Sequence, residues 1–287
     1  MNAIEIKGLK KSFGDFEIDN IDLVLPSGCI MGLVGENGAG KSTTIRLILD
    51  IIARDGGEIK VLGKDNKKDF HITKQDIGIV LDNVGFYDSF RATDVAKIMK
   101  KAYENWSDKE FFEYLERFSV PSKKKYKELS KGMKMKLNIA IALSHDAKLL
   151  ILDEPTNGLD PVIRDEIIDI FGEFTRDENR SVLISSHITS DLEKICDYFA
   201  FMKNGKLVLC EEKDRLLEKY CILQCSEEDL KSIDESAVLH KKSSPYGVSA
   251  LCEREKLPEG MNISSADIEE IFVLMMKEGA KVEVPVA

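Results

Sequence analysis

The sequence contains no apolar run that approaches the roughly twenty residues of a membrane-spanning helix. Its first residues also lack the pattern of a secretory signal peptide. Internal repeats and low-complexity linkers are absent as well. We therefore expect a chain that remains in the cytoplasm.

Cysteine pairs at metal-binding spacing and an excess of positive charge are also lacking. The six cysteines are scattered without C-x-x-C spacing, which is typical of reduced thiols. They are Cys29, Cys196, Cys210, Cys221, Cys225 and Cys252. Cys221 and Cys225 are the only two that lie close together in the sequence, and we do not expect them to bind a metal. The net charge of −10 argues against a nucleic-acid partner, because such binders present a basic surface.

The composition is sufficient for a real core. With 287 residues, 43% of them apolar, the chain can form one large domain or two smaller ones. Alternating apolar residues at 4–6 and 21–25 predict antiparallel strands. Asn204-Gly205 between two apolar runs predicts a hairpin with a two-residue turn.

The pattern turns helical between about residues 84 and 146, where no strand stands out. After Tyr220 it changes again, since residues 221–287 hold thirteen acidic and seven basic residues. Residues 264–274 begin with serine and aspartate and continue with apolar residues at helical spacing, which predicts an amphipathic helix. We expect this helix to pack against the preceding domain or against a second subunit, rather than to sense a ligand.

A phosphate-binding loop is the strongest motif. Residues 35–42 match every fixed position of G-x-x-x-x-G-K-[ST], and they follow the apolar run 29–34, which is predicted to be a strand. Loop N–H groups would surround the phosphates, Lys41 would reach the β- and γ-phosphates, and the Ser42 hydroxyl would hold Mg²⁺. The alternative is a glycine-rich turn that fits by chance. The expected nucleotide contacts here are Gly35, Asn37, Gly38, Ala39, Gly40, Lys41, Ser42 and Thr43.

A second motif is the apolar run 148–152 followed by Asp153-Glu154, the Walker B pattern. Asp153 would serve the Mg²⁺ shell, and Glu154 would orient or deprotonate the attacking water. Many strands simply stop at their first charged residues, and this motif alone would favour that explanation. Together with the phosphate loop it favours hydrolysis of a nucleoside triphosphate.

The segment 129–133, Leu-Ser-Lys-Gly-Met, lies between these motifs and resembles the L-S-G-G-Q signature of the ATP-binding cassette (ABC) family. Over residues 3–220 the chain resembles the nucleotide-binding subunit of an ABC transporter. The altered signature and the region after Tyr220 resemble those of bacterial ABC-2 exporters. The resemblance implies an α/β phosphate-loop fold with a mixed sheet core, an antiparallel β subdomain and a helical subdomain. Residues 1–220 would form this ATPase domain, and residues 221–287 a small accessory region.

The signature segment also has a physical interpretation. Ser130 is predicted to cap a helix over residues 131–143, whose N-terminus would attract an anion. In the family that anion is the γ-phosphate held by the other subunit, so Ser130 and Gly132 would complete the partner's site. Lys131 and Met133 depart from the family pattern, and the lysine-rich stretch 123–136 can also be explained as a solvated basic face.

His187 follows the predicted strand 181–186. A lone histidine is more often a capping or packing residue, but this strand would lie beside the Walker B strand and bring the imidazole to the same edge of the sheet. The resemblance makes His187 the switch histidine at the γ-phosphate and Asp160 part of the D-loop that crosses the dimer interface. His71, His145 and His240 receive no function.

Two positions depart from the family in the nucleotide site. Asp82 replaces the usual Q-loop glutamine; it could still accept from a metal-bound water, but an ordinary loop aspartate explains it equally well. Phe13 matches the position at which the family stacks a ring on adenine, and a phenyl ring discriminates poorly between bases.

The resemblance implies an ATPase that binds ATP and Mg²⁺, dimerises with an identical or related subunit, and drives export through a separate transmembrane permease. It would lie on the cytoplasmic face of the membrane through that partner. Two alternatives remain open: a soluble ABC ATPase acting on ribosomes or DNA, and a regulatory subunit that binds ATP with little turnover.

Overall fold

The computed structural model describes residues 1–69, 73–82, 85–244 and 247–277. The strands of this part form three sheets. They are β1 (Asn2–Ser12), β2 (Glu17–Pro26), β3 (Ile30–Gly35), β4 (Gly56–Val61), β5 (Lys64–Asp65), β6 (Ile77–Val80), β7 (Leu149–Asp153), β8 (Ser181–Ser186), β9 (Tyr198–Lys203), β10 (Lys206–Glu212), β11 (Tyr220–Cys225), β12 (Val238–Ser244), β13 (Gly247–Glu253) and β14 (Ile263–Ser265).

The α-helices are interspersed with the strands. They are α1 (Lys41–Ile48), α2 (Ala92–Ala102), α3 (Asp108–Arg117), α4 (Lys131–Leu143), α5 (Pro161–Phe174), α6 (Thr189–Glu193), α7 (Lys213–Lys219), α8 (Glu227–Lys231) and α9 (Ile268–Met276). Short 3₁₀ helices cover Lys74–Asp76, Tyr126–Glu128, Glu235–Ala237 and Arg254–Lys256. Within the described ranges, no helix is both long and apolar enough to cross a bilayer.

The central sheet has six strands in the order β10-β9-β3-β8-β7-β6. The strands from β9 to β6 run parallel, and β10 is antiparallel to β9. Every residue of β3, β7 and β8 is buried, as expected for strands covered on both faces. Because parallel strands share one carboxyl edge, their last residues, Gly35, Asp153 and Ser186, lie along the same edge.

The N-terminal sheet is antiparallel, in the order β2-β1-β4-β5, which confirms the prediction from alternating residues. It shares an apolar core with α1, to which Ile45, Ile48 and the following Leu49 contribute. The apolar residues that follow Lys41 in the sequence predict a helix that also turns Ile51 toward the sheet. That prediction is wrong, since the Ile51 side chain is 58% exposed. The helix ends at Ile48, so the helical spacing no longer determines which side chains beyond it face the sheet.

The segment between β6 and β7 is helical as predicted, although the expected boundary near residue 84 lies outside the described residues. Helix α4 spans the predicted residues 131–143, and the Ser130 hydroxyl accepts a hydrogen bond from the Met133 N–H at 3.2 Å. Lys123 and Lys124 are exposed, as a solvated basic face requires. Lys136 is different: it is buried and pairs with Glu166 at 2.6 Å.

His145 joins the end of α4 to the sheet. One ring nitrogen lies 3.1 Å from the Ile141 carbonyl oxygen and the other 3.2 Å from that of Ile77, while Tyr103 stacks on the ring at 3.9 Å. Burial lowers the pKa of His145, because the charged form loses its hydration. This histidine therefore has a packing role, and His71 lies outside the described residues.

The predicted hairpin joins β9 to β10 and brings its turn against the phosphate loop. Asn204 and Gly205 both have positive φ, of 48° and 75°, as a type I′ turn requires. A Cβ on Gly205 would collide with the Glu17 carbonyl oxygen, so glycine is needed for this close approach. The Gly205 N–H donates to the Ala39 carbonyl at 2.9 Å. The Asn204-Gly205 turn therefore packs against the phosphate loop and stabilises it.

The third sheet has the order β12-β13-β11-β14 and belongs to the C-terminal region. The predicted terminal helix is present as α9, capped by Asp267, whose side chain accepts from the Glu270 N–H at 2.7 Å. Phe272 packs edge-to-face on Phe201 of β9, with ring centroids 5.3 Å apart. The Lys203 ammonium also donates to the Met276 carbonyl oxygen at the helix end. Helix α9 thus packs against β9 of the central sheet. This is the first of the two expected arrangements, packing against the preceding domain rather than against a second subunit.

All six cysteines are free thiols. Burial raises the pKa of Cys210 to about 11 and that of Cys252 to about 12, because a buried thiolate loses its hydration. These two thiols therefore stay protonated at neutral pH and act as small apolar side chains.

Adjacent residues of α9 give a matched test of this packing. Phe272 is 8% exposed and Val273 is 43% exposed. We expect Phe272→Ala to lower the free energy of unfolding by about 3 kcal/mol, because it leaves a cavity beside Phe201. Val273→Ala should change it by less than about 0.5 kcal/mol. Equilibrium urea unfolding of both variants checks this, and equal losses would contradict the docking of α9.

Candidate nucleotide-binding site

The phosphate loop connects β3 to α1 at the carboxyl edge of the central sheet. Gly38 and Gly40 have φ angles of 86° and 108°, in the left-handed region that favours glycine. A Cβ on Gly40 would also approach the Ile18 Cδ1 atom to 2.8 Å, so the backbone lies directly on the N-terminal sheet. The loop thereby presents the free N–H groups at the start of α1, which attract anions.

Lys41 is the buried cation of the site, with a side chain only 5% exposed. Its ammonium donates to the carbonyl oxygens of Gly35 at 2.6 Å and Glu36 at 3.2 Å. It also pairs with the Glu154 carboxylate, 3.2 Å from Oε1. A buried ammonium needs such partners, because it has lost its hydration.

Glu154 connects this cation to the predicted switch histidine. Its Oε2 atom lies 2.8 Å from the Nδ1 atom of His187. Its backbone has a φ of 50°, which is uncommon for a residue other than glycine. This turn directs the side chain back toward the loop. The structure thus brings together Lys41, Glu154 and His187, which are far apart in sequence.

Ser42 and Asp153 form the second cluster at this edge. The Ser42 hydroxyl donates to the Asp153 Oδ1 atom at 2.9 Å. Hydroxyl and carboxylate oxygens are ligands that Mg²⁺ prefers, so this pair fits such an ion. Among the described residues no three His, Cys, Asp or Glu side chains group as a metal site, and the metal role of Ser42 and Asp153 stays a prediction.

Asp82 lies two residues beyond β6, which pairs in parallel with β7, and therefore follows the same carboxyl edge. Its assignment to the metal stays a prediction. Phe13 is 47% exposed and has the Lys11 ammonium 5.5 Å from its ring centroid. The ring is accessible to a base, and its stacking role also stays a prediction.

Ser185 of β8 is a polar contact that sequence reasoning missed. It is fully buried, and its hydroxyl donates to the Asp153 Oδ1 atom at 2.7 Å. The available signal was a pair of serines that ends an otherwise apolar strand next to His187. The pattern alone did not show which strand the serines face.

The signature segment, residues 129–133, lies beside the segment 158–160. Ser130 is exposed, whereas Gly132 is buried and a Cβ there would come within 2.8 Å of Ile163. A Cβ on Gly158 would lie 2.6 Å from the Lys131 ammonium. The Lys131 side chain therefore lies against Gly158 in the segment 158–160.

Asp160 caps α5, because its side chain accepts from the Ile163 N–H at 3.1 Å. Its expected role toward a nucleotide stays a prediction. In the part of the chain described, no hydrogen bond or ion pair links residues 130–132 or Asp160 to the phosphate loop. The predicted site residues thus fall into two groups on one protomer.

Comparisons with known proteins agree with this geometry. The family model described as ABC transporter matches residues 18–157. The ABC transporter ATP-binding protein YtrB of Bacillus subtilis is 30% identical over 285 residues, 94% of this chain and 97% of the relative. The bacitracin transport ATP-binding protein BcrA of Enterococcus faecalis is 34% identical, over 72% of this chain and 68% of its own.

A solved structure of an ATP-binding subunit of an ABC transporter superposes with a TM-score of 0.67 at 25% identity, over 75% of this chain and 91% of that one. The expected fold class is therefore confirmed. The relatives are named as transporter subunits, which favours that function over an ATPase of ribosomes or DNA.

The near-complete match to YtrB, the family model over the loop and both acidic residues, and the cluster around Lys41 lead to one conclusion: this chain belongs to the ABC transporter ATP-binding proteins and is an ATP-binding, ATP-hydrolysing transporter subunit.

Proposed function

We propose that the chain hydrolyses ATP in a composite site formed with a second ATPase subunit, and that this cycle drives export through a separate permease. The observation that supports it best is the cluster of Lys41, Glu154 and His187 at the mouth of the phosphate loop. It places a cation, a carboxylate base and a hydrogen-bond donor within reach of one phosphoryl group.

The loop residues Gly35, Asn37, Gly38, Ala39, Gly40, Lys41, Ser42 and Thr43 bind the phosphates. Ser42 and Asp153 would hold Mg²⁺, with Asp82 accepting from its water shell, and the bound ion would supply positive charge against the triphosphate. A triphosphate attracts Lys41 more strongly than a single carboxylate does. Binding therefore releases Glu154 from Lys41, and Glu154 can accept a proton from the attacking water.

His187 has two tasks in this scheme. It holds the Glu154 carboxylate through Nδ1, at the 2.8 Å seen in the structure. Its other nitrogen is available to donate to the γ-phosphate when it carries a proton. Phe13 stacks on the adenine.

The second half of the site comes from another subunit. Ser130, Gly132 and Asp160 complete the neighbour's phosphate loop, and the N-terminus of α4 supplies N–H groups to the γ-phosphate. Two observations support this: Ser130 is exposed, and the described contacts leave these residues unconnected to their own loop. Since one chain carries both halves, a homodimer and a pair with a related ATPase both satisfy the scheme.

The permease and the direction of transport are inferred from the relatives. BcrA is named for bacitracin transport, and we infer an exporter on the cytoplasmic face of the membrane, held there by its permease. Residues 1–220 constitute the ATPase domain and residues 221–287 the accessory region. The substrate is selected by the permease.

Glu154→Gln tests the catalytic role. The amide cannot accept a proton, so we expect ATP hydrolysis to fall by about 10²- to 10⁴-fold while ATP binding is retained. The exposed Glu178→Gln serves as the matched control and should hydrolyse ATP like the wild type. Phosphate release and ATP titration give the two readouts, and undiminished turnover in Glu154→Gln would remove this residue from its role.

Mixing two inactive variants tests the composite site. Lys41→Ala loses nucleotide affinity, and Ser130→Phe places a bulky ring on an exposed position that the neighbour must approach. Neither should hydrolyse ATP alone. A 1:1 mixture should recover about a quarter of wild-type activity, because half of the dimers are mixed and each has one complete site. Absence of recovery, with both variants folded and able to exchange subunits, would exclude a composite site in a homodimer.

Purification from solubilised membranes tests the permease. A tagged chain produced in its native host should retain a multi-spanning membrane protein encoded beside it, and an untagged chain should not. Mass spectrometry identifies the retained protein. If the tagged chain is recovered without any membrane-spanning protein, the transport proposal is contradicted.

A further inference from the structure

Ser185 lies at the junction of the two functional strands. In the parallel pair of β7 and β8 it is the register partner of Asp153. Its side chain is fully buried at the carboxyl edge, next to the residues proposed to bind Mg²⁺ and activate water. A buried hydroxyl here must satisfy its hydrogen bonds within the protein.

The Ser185 hydroxyl contacts both acidic positions. It donates to the Asp153 Oδ1 atom at 2.7 Å and accepts from the Glu154 N–H at 3.0 Å. A hydroxyl has one proton, so donation to Asp153 fixes its orientation. The same atom thereby sets the direction of the Asp153 carboxylate and supports the backbone of Glu154, which has its φ at 50°.

Both hydrogen bonds that the described residues make to the Asp153 carboxylate reach Oδ1, one from Ser42 at 2.9 Å and one from Ser185 at 2.7 Å. This pattern leaves Oδ2 as the oxygen able to serve a cation or its water shell. Ser42 belongs to the phosphate loop, which a nucleotide contacts directly. Ser185 belongs to a strand whose six residues are all buried, so it can hold the Asp153 carboxylate in place without contacting the nucleotide.

We propose that Ser185 is a positioning residue for the metal: its hydroxyl orients the Asp153 carboxylate so that Mg²⁺ binds tightly in the presence of ATP. This rests on the proposed Mg²⁺ role of Ser42 and Asp153. Partners that orient a metal-binding carboxylate change metal affinity without touching the metal. Ser185 therefore acts through Asp153, and its effect depends on the metal rather than on the phosphates.

Ser185→Ala should weaken Mg²⁺ binding by about 10- to 100-fold. The affinity for ATP measured without Mg²⁺ should stay within about twofold of the wild type, because the hydrogen bonds described for the Ser185 hydroxyl go to Asp153 and Glu154 rather than to the phosphate loop. Two readouts on the full chain separate these effects. Calorimetric titration of a non-hydrolysable ATP analogue is run with and without Mg²⁺, and Mn²⁺ bound with the analogue is counted by electron paramagnetic resonance.

The matched control is Ser181→Ala, in the same strand at the opposite end. Ser181 is also buried, and its hydroxyl accepts from the Gly28 N–H at 2.9 Å. It should show the wild-type metal dependence. Ser185→Cys is the second variant, since it nearly preserves the volume but donates weakly, and it should lose metal affinity as Ser185→Ala does. Thermal unfolding of each variant verifies folding.

Wild-type Mg²⁺ affinity in both Ser185→Ala and Ser185→Cys would overturn the proposal. Equal losses in Ser181→Ala and Ser185→Ala would overturn it too, because they would indicate a general effect on β8. Asp153→Asn separates this proposal from the underlying one. If Asp153→Asn abolishes the Mg²⁺-dependent gain and the Ser185 variants keep it, only the role of Ser185 fails. If Asp153→Asn keeps the gain, the proposed metal site fails as well.

Discussion

The buried ammonium of Lys41 is the constraint around which the site is organised. At 5% exposure it has lost most of its hydration, and it is stabilised by two loop carbonyls and the Glu154 carboxylate. The close contacts of the loop glycines with the N-terminal sheet and the hairpin turn fix the position of this charge. Such a site attracts an anion that can replace the carboxylate, and a triphosphate is the strongest candidate among cellular ligands.

The second feature that governs function is the separation of the site residues into two groups. One surrounds Lys41, and the other combines Ser130 with the Gly158 and Asp160 segment. Both helix starts in the second group are capped by their own side chains, and Ser130 is exposed. A protomer built in this way presents its phosphate loop and the N-terminus of α4 at once, which is the arrangement that the proposed paired site requires.

The C-terminal region is part of the packed molecule rather than an appendage. Helix α9 lies against β9, the strand that pairs with β3 and leads into the turn behind the phosphate loop. The match to YtrB covers 94% of this chain and so extends into the region. The contacts of α9 indicate a structural role, since they consist of apolar packing and of the hydrogen bond from Lys203 to the helix end.

The sequence determined the local features, because each depends on neighbours along the chain. The loop from 35 to 42, the helix over 131–143 with its Ser130 cap, the strand 181–186 and the Asn204-Gly205 turn all agree with the structure for this reason. It failed for Ile51, where the helix had ended, and it missed Ser185. The expected pairing of the strand 181–186 with the Walker B strand is confirmed as well, but only the tertiary structure decided the register and the contacts that bring Ser185 to Asp153 and His187 to Glu154. Contacts between strands so distant in sequence depend on strand order and register, and no periodicity within one segment encodes them.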